Sequence, residues 1–312
     1  MLNYSIILDV TIISKDIGIV NHEKRIIIIP GDAMNIVFWN TDISNKNSPK
    51  ANSINDCLVD IIVENNVDLL ILAEYGGDVQ ALCNIVNLTS RMQYIPIPNL
   101  GGCERIKGIL NNVYQTEAPH EQSHYQILKV KTVFSELIVA MIHNHSKIRA
   151  SSDKQKTALQ KFHRAIRDYE DIFNCQNTIA IGDFNVNPFE IACVSASAMH
   201  AIPFFEEVQG KPTRIVDGDI YRKFYNPTWK FFGNRSIPYT TYHYNKSDTV
   251  EYYWNAFDQI MIRPSLMNAF DENLIKIISE TKNHSLIKKG KPNRDDYSDH
   301  LPLFCTLKEA FL

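Results

Sequence analysis

Short apolar runs that end abruptly in polar groups recur along this sequence, and the clearest is TIAIGDFNVNPFE at residues 178–190. Alternation along an extended chain places residues i and i+2 on the same side, so Asp183 and Asn185 should point the same way at the tip of a buried strand. Glycine, aspartate and asparagine are also ordinary turn formers, so a simple turn explains this stretch equally well. The choice between turn and site depends on the other runs.

Apolar runs alternate with helical patterns along the first half of the chain. MNIVFWN at 34–40, VDLLILAE at 67–74 and ELIVAMIHNH at 136–145 predict strands, and so do TIAIGDF, FDQIMI and LPLFCTL. Helices are predicted at 53–66, with Ser53 as N-cap, and at 152–173, where Ser152 and Gln155 form a capping-box pattern. Alternating strands and helices, followed by a β-rich second half, predict an α/β or α+β sandwich.

The length of 312 residues fits a single large domain. Residues 1–33 look separate, because Pro30, Gly31 and Asp32 form a turn signal just before the first core strand. We expect an N-terminal extension at 1–33, folded as an added hairpin, and a main domain at 34–312.

Composition limits the class of protein. The net charge of −3 argues against the basic whole-protein field of a simple nucleic-acid binder, although a local basic patch remains compatible with it. The six cysteines form no Cys-x-x-Cys pair, which predicts buried free thiols in a reducing compartment. The first residues carry no secretory pattern, and RIIIIP is too short to cross a bilayer. These features predict a cytoplasmic protein without membrane contact.

Five further apolar runs have polar groups at one end. These groups are Asn40 and Asp42 after VFW, Glu74 after LLILA, His143 and His145 in VAMIHNH, Asp258 before QIMI, and Asp299 with His300 before LPLF. Each group alone has an ordinary explanation as a turn residue, a cap, a satisfied core histidine or an ion-pair partner. Together they could supply what hydrolysis of a phosphoester needs: an activated water, stabilisation of charge at phosphorus, and stabilisation of the negative charge on the leaving oxygen.

The residue types suggest a different chemical role for each of these groups. A hard divalent cation such as Mg²⁺ prefers oxygen ligands, which suits Glu74 with Asn40 or Asp42, and also Asp299. Asp183 is a candidate to orient or deprotonate the water. Candidate donors to the phosphate oxygens are Asn185, His145 and His300. Asp258 is a candidate to fix the tautomer of His300 and raise its pKa.

The order of these motifs, from Met34 to about Leu307, resembles the endonuclease/exonuclease/phosphatase superfamily with its deoxyribonuclease I-like fold. FWNTD is similar to its Trp-Asn motif, LAEY to its Leu-Gln-Glu motif with Ala73 in place of Gln, and NHSK to its Asn-His motif. GDFNVNP and SDH are intact, and FDQIMI matches the Asp-strand motif. The resemblance implies a four-layer sandwich of two β-sheets with helices outside, and Mg²⁺- or Mn²⁺-dependent hydrolysis of a phosphodiester or phosphomonoester.

The resemblance also implies roles for individual residues. Glu74 is implied to be the principal metal ligand, with Asn40, Asp42 and Asp299 near the metal. Asp183 and Asn185 are implied to align the water and bind the phosphate, and His145 to contact the phosphate. His300 is implied to be the catalytic histidine, paired with Asp258. Whether His300 or Asp183 activates the water stays open.

The histidine motif leaves a choice. His143 competes with His145, and we favour His145 because NHSK fits the motif and lies nearer the end of the strand. The resemblance also implies that a glutamate from the intervening region pairs with this histidine, and Glu104 is the candidate.

Two basic stretches bear on the substrate. The segment at 218–254 mixes rings with cations that include Arg222 and Lys230, and the segment before Asp299 carries Lys289 and Arg294. These four residues are predicted substrate contacts, although rings that pack and charges that are solvated would give the same pattern. The sequence therefore favours a nuclease acting on DNA or RNA, ahead of a phosphatase or phosphodiesterase acting on a small or inositol-phosphate-like substrate. A catalytically silent binding module is a remote alternative.

Overall fold

The computed structural model of the protein describes residues 33–43, 47–132, 135–245 and 249–308. The predicted hairpin at 1–33 therefore lies outside the described residues, except for Ala33. The division into an extension and a main domain stays a prediction.

Nineteen strands are present among the described residues. In chain order they are β1 Ala33–Ile43, β2 Leu69–Tyr75, β3 Tyr94–Pro96, β4 Ile106–Asn111, β5 Gln115–Gln122, β6 Tyr125–Lys131, β7 Glu136–His143, β8 Thr178–Asp183, β9 Ala201–Ile202 and β10 Thr213–Val216. The remaining strands are β11 Asp219–Arg222, β12 Phe224–Tyr225, β13 Tyr242–His243, β14 Trp254–Asn255, β15 Asp258–Ile262, β16 Lys276–Ile277, β17 Ile287–Lys288, β18 Lys291–Pro292 and β19 Leu303–Lys308.

Five α-helices and two short 3-10 helices connect these strands within the described residues. The α-helices are α1 Ala51–Asn65, α2 Val79–Thr89, α3 Ser152–Phe173, α4 Ile191–Val194 and α5 Phe205–Gly210, and the 3-10 helices are Pro227–Gly233 and Pro264–Leu266. No helix in this described part combines the length and the apolar character needed to cross a bilayer.

The helix starts differ from the sequence prediction in one respect. α1 begins after Lys50, so Ser53 lies inside the helix and does not cap it. α3 has its predicted bounds, but its cap is Ser151, whose side chain accepts a hydrogen bond from a backbone amide three residues later. Ser152 and Gln155 therefore form no capping box, and Gln155 is buried instead.

Two large mixed sheets form the frame. The first has the strand order β16-β19-β1-β2-β4-β3, and the second has the order β5-β6-β7-β8-β15-β12-β9. Three two-stranded ribbons, β10-β11, β13-β14 and β17-β18, are attached to this frame.

The centre of the molecule is the layer between the two sheets. Phe38 and Ile71 from the first sheet belong to the same buried cluster as Val139, Ile181 and Ile260 from the second. These side chains alternate along their strands with residues that face the outer layers, as the period of two requires. Burying each such side chain stabilises the fold by roughly 1.5–3 kcal/mol.

Helices cover the outer face of each sheet. Leu58 of α1 packs in one cluster with Leu70 of β2, and Phe162 of α3 packs in another with Ala180 of β8. The result is four layers, which confirms the predicted α/β sandwich. All six cysteines are free and five of them are buried, which confirms the prediction of free thiols.

Strand register brings the polar tips together. β1 and β2 are parallel with Asn40 opposite Ala73, and β7 and β8 are parallel with His143 opposite Asp183. β15 runs antiparallel to β8, so that Asp258 also lies opposite Asp183. Polar residues that are far apart in sequence therefore meet at one edge of the sandwich.

Gly182 makes this close approach of β7 and β8 feasible. A Cβ atom at position 182 would lie 2.0 Å from the carbonyl oxygen of Ile142 on the neighbouring strand. Its φ of +152° is also one that residues with side chains rarely adopt. The glycine before Asp183 is therefore required by the packing of the strand that delivers the carboxylate.

Candidate active site

A cleft of about 1660 Å³ opens where the polar strand tips meet. Eight of the nine predicted catalytic and metal-binding residues line it: Asn40, Asp42, Glu74, His145, Asp183, Asn185, Asp299 and His300. The ninth, Asp258, lies directly behind His300. The fold thus brings the whole predicted set into one place, while their chemical roles stay predictions.

His300, at the wall of the cleft, is paired with Asp258 behind it. The Nδ1 atom of His300 lies 2.8 Å from Oδ2 of Asp258, and both side chains are buried. Burial disfavours the charged imidazole, but the charges of Asp258, Asp183 and Asp299 outweigh it and raise the pKa of His300 to about 10. The histidine is therefore held as a cation at neutral pH.

The Ser-Asp-His turn is fixed to the first sheet. The hydroxyl of Ser298 donates to the carbonyl oxygen of Asn40 at 2.7 Å and accepts the backbone N–H of His300 at 3.0 Å. The indole Nε1 of Trp39 donates to the carbonyl oxygen of His300 at 2.9 Å. These bonds hold the imidazole in a fixed position, which explains why a serine precedes the Asp-His pair.

Asp183 is held on both carboxylate oxygens. Its Oδ1 accepts the backbone N–H of Asn185 at 2.8 Å, and its Oδ2 accepts the side-chain amides of Asn185 at 3.0 Å and Asn40 at 3.1 Å. Asn185 adopts a left-handed φ of 54°, which turns its side chain back towards Asp183. Burial and the charge of Asp258 raise the pKa of Asp183 to about 6.

Glu74 contacts His143, the alternative to His145 in the histidine motif. The Nε2 atom of His143 lies 3.2 Å from Oε1 of Glu74 and 3.9 Å from Oδ2 of Asp183. The hydrogen bond from His143 lowers the pKa of Glu74 to about 2, against the effect of burial. His143 therefore lies at the centre of the site, and the carboxylate that contacts it is Glu74, whereas Glu104 lies elsewhere along the cleft wall.

His145, the histidine preferred from the sequence, lines the cleft further out. Its ring contacts the ring of His124 at 3.9 Å between centroids, with the two planes tilted by 52°. The Nδ1 atom of His124 is 3.0 Å from the carbonyl oxygen of His143. Burial, together with nearby cations, lowers the pKa of His145. β7 ends at His143, so the histidine on the strand is the one that meets the carboxylates.

Gln155 is a site residue that the sequence did not reveal. Its side-chain amide donates to the carbonyl oxygens of His145 at 2.7 Å and Asn185 at 2.9 Å. One buried side chain of α3 thus fixes both loops that carry polar groups into the cleft. The capping-box pattern concealed this role, and only its position on the apolar face of the helix could have revealed it.

The acidic groups at the mouth of the site fit a hard divalent cation. Asp42, Glu74 and Asp299 offer carboxylate oxygens, and Asn40 offers an amide oxygen, which are the donors that Mg²⁺ prefers. Burial raises the pKa of Asp299, as expected for a carboxylate that needs a positive partner.

A second cluster in the described residues consists of Asp183, Asp258 and His300, whose ligand atoms lie within 4.8 Å of one another. Within this cluster, His300 and Asp258 form a hydrogen-bonded pair beside Asp183, with Nδ1 and Oδ2 2.8 Å apart.

The four predicted substrate contacts divide by location. Arg222 forms ion pairs with Glu170 at 2.9 Å and Asp171 at 2.5 Å on α3, away from the cleft. Lys230 donates to a backbone carbonyl near β16, and Lys289 occupies the tight turn between β17 and β18 with a φ of 52°. None of these three residues lines the cleft, so the geometry lends no support to them as substrate contacts, and that role stays a prediction.

Arg294 does line the cleft. Its Nε lies 3.7 Å from Asp42 and 3.8 Å from Asp299, and its side chain is 69% exposed. Lys50 also reaches Asp42 at 3.1 Å. These two cations border the acidic mouth of the site.

Further cations line the cleft that the sequence did not single out. They are Arg105 and Lys107 at the start of β4, and Lys147 and Arg149 in the turn after β7. Tyr242, Tyr244, Tyr252 and Phe257 supply aromatic surface to the same cleft. The cleft therefore carries cations beside its carboxylates, which the net charge of −3 could not show.

No family model matches this sequence, and no curated protein does. Solved structures do match. Truncated TDP2 of C. elegans superimposes with a TM-score of 0.54 at 15% identity, over 89% of this chain and 98% of that one. TDP2 of D. rerio, complexed with a single-strand DNA product, gives 0.53 at 16% identity, over 88% and 98%. The catalytic domain of human Nocturnin, with a bound sulfate, gives 0.51 at 15% identity, over 88% and 94%.

At these identities the likeness establishes the fold. The chain has the deoxyribonuclease I-like fold of these proteins, over nearly all of its length, and the resemblance inferred from the six motifs is confirmed at that level.

Proposed function

We propose that this protein is a metal-dependent phosphoester hydrolase that cleaves phosphodiesters of nucleic acid with an activated water. The observation that carries this proposal is the convergence of three held side-chain pairs on one cleft: Asp258 with His300, Asn185 with Asp183, and His143 with Glu74. Each pair joins a carboxylate to a group that fixes its orientation.

In this proposal the acidic residues at the mouth of the site bind the metal. Glu74 would be the principal ligand, with Asp299, Asn40 and Asp42 near it. A bound Mg²⁺ or Mn²⁺ would polarise a phosphoryl oxygen and stabilise the negative charge on the leaving oxygen.

Asp183 orients the attacking water. Asn185 and Asn40 hold both of its oxygens, so the carboxylate cannot rotate away from the substrate. A fixed acceptor beside the phosphate converts a bimolecular attack into an oriented one.

His300 stabilises the charge that develops on the phosphate. Its Nδ1 is engaged by Asp258, which leaves Nε2 to donate to a phosphate oxygen. Such a preorganised donor in a buried position is worth roughly 10²–10³ in rate. This division gives Asp183 the water and His300 the phosphate oxygens.

The surroundings of the site favour a polymer over a small phosphoester. A cleft of about 1660 Å³ exceeds the roughly 300–1,000 Å³ typical of small-molecule sites. Arg105, Lys107, Arg149 and Arg294 line it, as does Lys147, which also forms an ion pair with Glu190. Cations in a groove are what a chain of phosphates requires.

The test compares the purified protein with its His300→Ala variant on plasmid, single-stranded DNA, RNA and p-nitrophenyl phosphate, with Mg²⁺ or with EDTA. We expect cleavage of nucleic acid that needs both the metal and His300. His120→Ala is the matched control, because this exposed histidine lies outside the cleft. Turnover of p-nitrophenyl phosphate alone would replace the nuclease proposal with a small-ester hydrolase, and no turnover by a folded protein would refute hydrolysis.

A further inference from the structure

Aromatic side chains from residues 242–257 stand next to the catalytic histidine. Tyr242 forms a β-bridge with His300, and the N–H of Leu301 donates to the carbonyl oxygen of Thr241 at 2.8 Å. The ring centroid of Tyr242 lies 4.6 Å from that of His300. The backbone therefore fixes the position of these rings relative to the imidazole.

Three of the rings form a row. Phe257 and Tyr242 are 5.1 Å apart with their planes 26° from parallel, and Tyr242 and Tyr244 are 6.3 Å apart at 15°. Lys147 lies over Phe257, with Nζ 5.4 Å from the ring centroid. Tyr244, the third ring, is only partly buried and lines the cleft.

Tyr252 adds a second aromatic surface to the cleft. It is 54% exposed, and its ring packs against Phe189 at 5.1 Å. Its neighbour Tyr253 is equally exposed at 54% but lies outside the cleft. Of this adjacent pair, Tyr252 is therefore the ring that is available to a substrate in the cleft.

Aromatic rings in the cleft are not needed to bind phosphate groups. A row of cations is sufficient to hold a phosphate backbone, whereas a ring needs a flat apolar partner. Bases in a duplex already stack on one another, so only an unpaired base offers a free face to a protein ring. A small or inositol-type phosphoester offers no such face.

We propose that Tyr244 and Tyr252 stack on unpaired bases flanking the scissile phosphate, so that the substrate is a single-stranded segment of nucleic acid. This inference rests on the proposed function. The cations of the cleft then hold the backbone of the strand, and the rings select its unpaired state.

The experiment uses the full chain and three strands of equal length: a single-stranded oligonucleotide, the same oligonucleotide in a duplex, and a strand built wholly of abasic tetrahydrofuran nucleotides. Cleavage with Mg²⁺ gives kcat and KM. Fluorescence anisotropy of the His300→Ala variant in EDTA gives binding without turnover. The tested variants are Tyr244→Ala, Tyr252→Ala and Tyr244→Phe, and the matched control is Tyr253→Ala.

We expect the single strand to be cleaved with a kcat/KM at least about 10-fold above that of the duplex, and each alanine variant to raise KM for the single strand about 10-fold. Tyr244→Phe and Tyr253→Ala should leave KM within about 2-fold, since a phenyl ring stacks and Tyr253 lies outside the cleft. On the abasic strand the alanine variants should equal the wild type. Equal use of duplex and single strand, or an unchanged KM in both alanine variants, would overturn the inference.

The binding measurement separates this inference from the proposed function. If no strand is cleaved, the nuclease proposal fails, but anisotropy still decides whether the rings prefer an unpaired strand. If Tyr244→Ala does not fold, Tyr252→Ala carries the test, because its ring is half exposed.

Discussion

Replacing Asp258 by asparagine removes the charge behind His300 while keeping its shape. The rise of the His300 pKa from its ordinary 6.5 to about 10 corresponds to about 5 kcal/mol of preference for the cationic form, at about 1.4 kcal/mol per pH unit. Asp258 makes the 2.8 Å contact and is the largest favourable contribution to that rise. Asp258→Asn should therefore lower kcat about 100- to 1,000-fold, as expected when a preorganised charged donor is lost.

The same change has a defined effect on stability. Because the pKa of His300 is higher in the folded state, the stabilisation is complete below pH 6.5 and is lost as the pH rises towards 10. Breaking a buried pair costs about 3–5 kcal/mol. We expect Asp258→Asn to lower the free energy of unfolding by about 3 kcal/mol at pH 6, and by much less at pH 10.

Denaturant unfolding in EDTA at both pH values, together with kcat in Mg²⁺ at pH 7, checks this prediction. Asp68→Asn is the matched control, since this buried aspartate accepts the N–H of Asn35 at 2.9 Å and the side-chain amide of Asn111 at 2.9 Å, at the start of β2 and away from the cleft. It should lose stability equally at both pH values and keep its kcat. If Asp258→Asn lost the same free energy of unfolding at pH 6 and at pH 10, the contribution of this pair to stability would come from packing and not from charge.

Three further predictions test other parts of the site. Glu74→Gln should raise the Mg²⁺ concentration needed for half-maximal activity at least about 10-fold, because a charged ligand is lost; a metal titration checks this, and an unchanged midpoint would exclude Glu74 as a ligand. Gln155→Leu should lower kcat about 10-fold in steady-state assays, because the loops at His145 and Asn185 lose their hydrogen bonds to this side chain. An unchanged kcat would show that these loops keep their positions without Gln155. Arg294→Ala should raise KM for nucleic acid about 5-fold and flatten its dependence on NaCl, whereas Arg222→Ala should leave both unchanged and lower only Tm; equal effects on KM would contradict the assignment of Arg294 to the cleft.

The sequence predicts the frame and the location of the site because both depend on local patterns. Buried strands appear as apolar runs, and the polar residue after each run marks a strand tip. Asn40, Glu74 and Asp183 could therefore be assigned to one edge before any register was known. The pattern of elements predicted a sandwich, the resemblance to a known superfamily implied its four layers, and the structure confirms both.

The choice between His143 and His145 could not be made in the same way. Both residues follow the same apolar run, and the motif pattern fits the second one. What places His143 among the carboxylates is the parallel register of β7 with β8, which sets it opposite Asp183. That register depends on the crossover through α3 and on the close approach at Gly182, neither of which is visible in the motif.

Charged residues are harder still to assign, because their partners are distant in sequence. Arg222 looked like a substrate contact among aromatic neighbours, yet it pairs with Glu170, 52 positions away. The buried Arg263 binds the same carboxylate at 2.7 Å, so the cluster is built into the sandwich. A cation is assigned to substrate only after its acidic neighbours in space are known.

Tyr252 and Tyr253 show the same limit for aromatic residues. They are identical, adjacent and equally exposed at 54%, so no property of the sequence separates them. The left-handed conformation of Tyr253, with a φ of 61°, and its backbone bond to Tyr244 turn the two rings to different surroundings. Only Tyr252 then lines the cleft, so the backbone of this loop decides which ring can meet an unpaired base.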